Sequence, residues 1–129
     1  MGDQVQLRID MSSEVPLYQQ LHDQIILGLA TGKLQPGEAL PSVRQLADEL
    51  NINMLTVAKG YNLLKAEGYL ISDRRRGTHV ATTFQSDDVF MRTLQAQLHL
   101  LVAASKIRGL SEQTVKDLVI AQYCEFEGE

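Results

Sequence analysis

The chain has no tryptophan, one cysteine and three prolines, and only 5% of its residues are aromatic. A core built under those limits must be mainly aliphatic. Cys124 alone cannot close an intrachain disulfide. His22, His79 and His99 have no His/Cys/carboxylate ligand spacing, so no metal is expected. No apolar run approaches the roughly 20 residues that cross a bilayer. The opening MGDQVQLRID lacks a signal peptide's basic segment and apolar stretch. These absences predict a cytoplasmic protein with no membrane partner. A P-loop is missing, as is a paired-carboxylate motif with supporting context. No catalytic residue is therefore assigned, and an enzyme is not expected. Positive charge is short as well: 12 Lys+Arg against 16 Asp+Glu give a formal net charge of −4. Taken as a total, that charge argues against a nucleic-acid partner.

What is present changes the picture. The 129 residues suit one compact domain, or a small domain with an appendage. They are too few for a (β/α)₈ barrel of about 250 residues. Apolar residues make up 44%, enough for a core. Residues 1–80 carry eight basic and nine acidic side chains, whereas residues 81–129 carry four and seven. The excess acid thus lies mostly in the last third, and the densest basic feature is Arg74-Arg75-Arg76. A local patch, rather than the total, decides where a polyanion docks.

Residues 1–13 read as a loose polar arm. From Pro16, a first-turn proline, Leu17, Leu21, Ile25 and Leu29 recur at intervals of four and predict a helix ending near Gly32. GKLQPGEALP is a connection with at most a very short strand. Ser42 and Gln45 match a capping box, opening a short helix with Val43, Leu46, Ala47 and Leu50 inward. Asn51-Ile52-Asn53 forms a tight turn, and Asn53 caps a helix from about Met54 to Glu67. Gly68 stops it. Tyr69–Ile71 and Thr78–Val80 predict a hairpin around a charged turn. After a polar linker at 82–88, a helix from about Asp88 to Arg108 and a last one capped by Ser111 complete the chain. The fold class is mainly α with a small β-hairpin (α+β). The expected domains are 1–81, an arm and a winged helix-turn-helix, and 82–129, a linker and two helices.

A short helix, a three-residue turn and a second helix make a helix-turn-helix, and the hairpin adds a wing. An α-helix fits the major groove and reads bases with residues near its N-terminus. Ser42 and Arg44 stand where hydroxyl, backbone N–H and guanidinium meet phosphate, and Arg44 could reach a guanine edge. Asn53, Met54, Leu55, Thr56, Ala58 and Lys59 form the start of the reading helix. Arg74, Arg75 and Arg76 sit at the wing tip, suited to phosphate or minor groove. The competing reading is a winged helix that binds protein and never reads DNA, motivated by the charge of −4 and the apolar Met54-Leu55.

The stretches VPLYQQL, GKLQPGEALPSVRQLADELNINMLTVAKGYNLLKAEGYL and RRRGTHV together resemble the DNA-binding domain of the GntR family of bacterial transcription regulators, over about residues 15–80. The short two-helix tail is similar to the YtrA-like branch. The resemblance implies a homodimeric regulator, a repressor or activator, on double-stranded operator DNA with two inverted half-sites. It implies phosphate contacts for Ser42 and Thr56, base-facing positions for Arg44, Leu55 and Ala58, and a wing-tip glycine at Gly77. The chain departs from the family in having Asn53-Met54-Leu55 where Asn-Pro-Asn is frequent, Ala58 where a long polar residue is frequent, and Gly60 in place of a common Ala. Met54, Leu55 and Ala58 suggest apolar contact with thymine methyl groups.

Phe90, Leu94, Leu98 and Leu101 repeat at helical spacing in the fourth helix, and Val115, Leu118, Val119 and Phe126 line the fifth. Two short helices make a poor core alone, so these eight residues are assigned to a homodimer interface. Cys124 is expected to be a small buried hydrophobe. His22 and His99 are read as helix-surface or interface residues; His79 alternates with Thr78 and Val80, its role is left open, and an outward position near phosphate is the less favoured of its readings. No cofactor is expected. A small effector between the helices and the winged part is a further possibility.

Overall fold

The computed structural model describes residues 7–127. Its elements are α1 (Leu17–Ala30), α2 (Val43–Leu50), α3 (Met54–Ala66), β1 (Leu70–Asp73), β2 (Gly77–Val80), α4 (Asp88–Ile107) and α5 (Glu112–Glu127). They fall into two compact units, one ending at Phe84 and one beginning at Gln85.

In the first unit the apolar stripe of α1 buries Leu21 and Ile25. They meet Leu34 of the connection, Leu46 and Ala47 of α2, Val57, Tyr61 and Leu64 of α3, and Leu70 and Val80 of the hairpin. This core is aliphatic except for Tyr61, whose hydroxyl donates to the Pro41 carbonyl at 2.8 Å. Burial, reinforced by Glu49, pushes that phenol's pKa upward, so it stays a neutral donor. Gly60 lets α1 and α3 approach closely. A Cβ there would lie 3.0 Å from Leu21 Cδ2 and 3.1 Å from the Tyr18 carbonyl oxygen.

The helix ends follow from local chemistry. Gln45 N donates to Ser42 Oγ at 3.1 Å and Ser42 N to Gln45 Oε1 at 3.0 Å, completing the capping box. Asn51 closes α2 in the left-handed region at φ 57°, which asparagine tolerates better than most residues. Asn53 Oδ1 then accepts from Leu55 N at 2.7 Å and starts α3. Pro16 lies one position ahead of α1, at its N-cap, rather than within its first turn. The strands pair antiparallel from Leu70↔Val80 to Asp73↔Gly77, so the turn shrinks to the three arginines. Residues 37–40 run along the other edge of β2, with Gly37 N to Val80 O at 3.0 Å, Val80 N to Glu38 O at 2.8 Å and Leu40 N to Thr78 O at 2.9 Å.

Two expectations about the first unit fail. The arm is not loose over its described part. Arg8 N donates to Gln24 Oε1 at 2.8 Å, and Gln24 Nε2 returns a bond to the Arg8 carbonyl. One turn earlier on α1, Gln20 holds Asp10 the same way, at 2.9 and 3.0 Å. Two carboxamides at i, i+4 thereby clamp alternate residues of an extended segment, and Leu7 packs onto the core. Residues 1–6 of the predicted arm lie outside the described residues. His22 is buried rather than at the surface, for reasons given below.

In the second unit, Asp87 Oδ1 caps α4 through Phe90 N at 2.8 Å, and Ser111 Oγ accepts from Thr114 N at 3.1 Å. No described residue of α4 or α5 is buried within the chain. Cys124 is accordingly exposed, not buried, because two helices form no core deep enough to cover it. Among the described residues, no helix is long and apolar enough to cross a membrane.

Candidate nucleic-acid interface

The N-terminus of α2 presents Ser42 and Arg44, both exposed. Ser42 Oγ serves as acceptor for its cap, which leaves the hydroxyl proton free to donate outward. At the start of α3, Asn53 spends its side-chain oxygen on the cap. Met54 and Leu55 are 46% and 77% exposed, so neither packs inward. Thr56 and Ala58 are half-buried, and Val57 between them is fully buried and anchors the helix to the core. Lys59 is not simply a solvated charge. Its ammonium lies 4.1 Å from the centroid of the Tyr18 ring, a cation–π contact from α3 to α1.

The wing turn is built by its own side chains. Asp73 Oδ1 accepts from Arg76 N at 2.6 Å, and Ser72 and Thr78 share a hydroxyl bond at 2.9 Å across the strands. Gly77 adopts φ 68°, a left-handed conformation that spares it the strain another residue would meet. Arg74, Arg75 and Arg76 are all exposed. Only Arg76 is tied back, its Nη2 donating to the Gly37 carbonyl at 3.0 Å.

His79 does not point outward toward phosphate. It is buried, with Nδ1 3.2 Å from the Gly77 carbonyl, on a strand flanked by residues 37–40. His22 lies between two carboxylates: Nε2 is 2.7 Å from Glu67 Oε1 at the end of α3, and Nδ1 is 2.8 Å from Asp23 Oδ1. Burial alone would lower its pKa. The hydrogen bonds to Glu67 and then Asp23 outweigh that and hold it above the ordinary histidine value. Tyr18 and Glu67 were missed from sequence. Their partners are distant along the chain, and no local spacing announces them.

The dimer candidates form the other group. Phe90, Leu94, Leu98 and Leu101 on α4 are exposed, as are Leu118 and Val119 on α5, while Val115 and Phe126 are half-buried.

A core of three helices, a helix-turn-helix with a capped reading helix, and a hairpin with a basic tip define a winged helix-turn-helix DNA-binding protein. Residues 17–80 match the bacterial regulatory proteins of the gntR family. Along 115 residues the chain is 30% identical to the HTH-type transcriptional repressor YtrA of Bacillus subtilis, covering 88% of each. Among solved structures, YtrA from Sulfolobus acidocaldarius, a GntR-family transcription factor, is similar at 39% identity and a TM-score of 0.61, over 75% of this chain and 97% of that one. A transcriptional antiterminator from Listeria monocytogenes EGD-e shares the fold at a TM-score of 0.86 and 22% identity, over 95% and 92% of the two chains. The chain belongs to the GntR family of helix-turn-helix transcriptional regulators, among its YtrA-like members. Some relatives are longer: the matched segment spans 15% of YdeL of Bacillus subtilis and 62% of Rv1152 of Mycobacterium tuberculosis.

Proposed function

We propose that this regulator acts as a cytoplasmic homodimeric repressor on an operator of two inverted half-sites. The observation that carries the reading is the exposure of both working surfaces. The start of α3 projects Met54 and Leu55, Arg44 is exposed on α2, and α4 and α5 leave Phe90, Leu94, Leu98, Leu101, Leu118 and Val119 exposed. The first surface suits a major groove with thymine methyl groups to meet. The second suits a two-fold related copy. Recognition helices would then sit roughly 34–36 Å apart, or a multiple of that, matching half-sites one or more turns apart. Repression is supported by the B. subtilis relative YtrA, an HTH-type transcriptional repressor.

Ser42 and Thr56 take phosphate in this scheme, Arg44, Leu55 and Ala58 face bases, and Gly77 brings the wing backbone near the minor groove. No cofactor takes part in reading, although a small effector that binds two arrangements of the dimer unequally would modulate affinity. Selection of duplexes from a random pool by the intact protein tests the reading. An inverted repeat is expected, bound with strong salt dependence. Equal affinity for every duplex, or binding indifferent to salt, overturns it.

A protein-binding winged helix is the second reading, favoured by the exposed Met54-Leu55 pair and the net charge of −4. Absence of any duplex shift at low salt, together with a retained protein partner, would establish it instead.

A further inference from the structure

The three wing arginines are adjacent in sequence but not equivalent in structure. Among the described residues, Arg74 and Arg75 make no side-chain hydrogen bond or ion pair, whereas Arg76 is held at both ends. Its backbone N–H is fixed by Asp73 Oδ1 at 2.6 Å, and its guanidinium donates to the Gly37 carbonyl at 3.0 Å. Gly37 is itself fastened to the base of the wing through its N–H on Val80 O at 3.0 Å. It takes φ 82°, with its Cβ position 3.5 Å from the Thr82 methyl. Arg76 therefore joins the turn of the hairpin to the connection between α1 and α2. A guanidinium committed to a carbonyl has spent part of its donor set and its conformational freedom, which makes it a poor first contact for a phosphate but a good strut.

We propose that Arg76 is a positioning residue that braces the wing tip against Gly37, and that Arg74 and Arg75 alone carry the wing's charge to the DNA backbone. The proposal rests on the DNA-binding reading for its second half only. Bracing is a property of the free protein. It explains how a turn of three like charges keeps one geometry: Asp73 and the Gly37 carbonyl supply the negative ends that hold the third arginine away from the other two.

The experiment has two arms on the full chain. Hydrogen exchange without DNA reads the brace. Arg76→Ala is expected to speed exchange of the Gly37 and Leu40 amides, which bond to β2, while Arg75→Ala leaves them unchanged. Salt-dependent binding to a duplex selected by the intact protein reads the charge. Each phosphate contact contributes about 0.9 to the slope of log K against log salt. Arg76→Ala should weaken binding about 10-fold, and Arg75→Ala should reduce the slope by about 0.9 in the intact chain but leave it nearly unchanged in the Arg76→Ala background, where Arg75 is no longer held on its phosphate. A double-mutant cycle separates positioning from general damage. If Arg76 positions Arg75, the roughly 10-fold loss from Arg75→Ala shrinks below about 3-fold in the Arg76→Ala background. Unchanged exchange in Arg76→Ala overturns the brace. A slope loss from Arg75→Ala that is as large in the Arg76→Ala background as in the intact chain, or strictly additive losses of affinity, overturns the division of labour. If the intact chain selects no duplex, the DNA reading fails, and exchange still decides the brace.

Discussion

The two units use similar helical apolar spacing for opposite ends. In the first, Leu21, Ile25, Val57 and Leu64 are all but closed to solvent. In the second, Leu98 is 47% and Leu101 64% exposed, and nothing in α4 or α5 is buried within the chain. Periodicity alone marks an apolar face without saying what covers it. The first unit covers its own, because three helices and a hairpin close around it. The second is a pair of helices, too small for a core, so its face is available to a second copy.

The contrast can be broken most forcefully from within the first unit. Leu64→Ala removes a fully buried side chain at the junction of α3 with the hairpin and should cost about 2–5 kcal/mol in chemical denaturation. The matching change in the second unit should behave differently. Leu98→Asp with Leu101→Asp is expected to give a folded monomer by sedimentation, with operator affinity lower by about 100-fold because avidity between half-sites is gone. A dimer that survives both changes would remove the assignment of α4 and α5. Within the reading surface, Arg44→Ala should cost on the order of 1–3 kcal/mol and relax preference at one base position, as measured by binding to point-substituted duplexes. Ser42→Ala should lose about 1 kcal/mol of stability through its cap.

The smallest expected effect concerns pH. His22 has a folded-state pKa raised above its ordinary 6.5 by Glu67 and Asp23, against the pull of burial. Its contribution is fully present below that ordinary value and fades as pH rises through the folded value. Thermal melts of the intact chain should therefore lose stability as pH rises from the ordinary histidine value through the raised folded one, and His22→Gln should flatten that slope. An identical pH profile in the variant would assign the dependence to other groups.

Much of this was legible in sequence because it is local. The Ser42–Gln45 box, the Asn53 cap, the helix periods and the turn residues act within a few positions, and they place the helix-turn-helix and the hairpin. The family motifs cover the same stretch. What escaped was made by polar side chains acting across the fold. Gln20 and Gln24 look like solvated helix residues until the arm lies beside them. His22 meets Glu67 at a separation of 45 residues. His79 breaks the expected alternation on β2, where residues 37–40 pair along the strand and both His79 and Val80 become buried. Cys124 fails in the opposite sense. A small apolar residue is usually covered, but here the helix pair has no interior. The three arginines were legible as a patch, while the tether on Arg76 depends on Gly37, 39 residues away.

The glutamine clamps on the arm also bear on proteolysis. A serine protease binds its substrate as an extended strand and needs the backbone N–H and C=O groups around the cleaved bond. At Arg8 and Asp10 those groups are already engaged by Gln24 and Gln20. The peptide after Arg8 is thus masked from trypsin although its side chain is exposed, whereas the tip at Arg74 and Arg75 offers an open turn. Brief digestion should nick the wing first and leave the arm attached to α1, so the chain's N-terminal segment outlasts the hairpin that follows it.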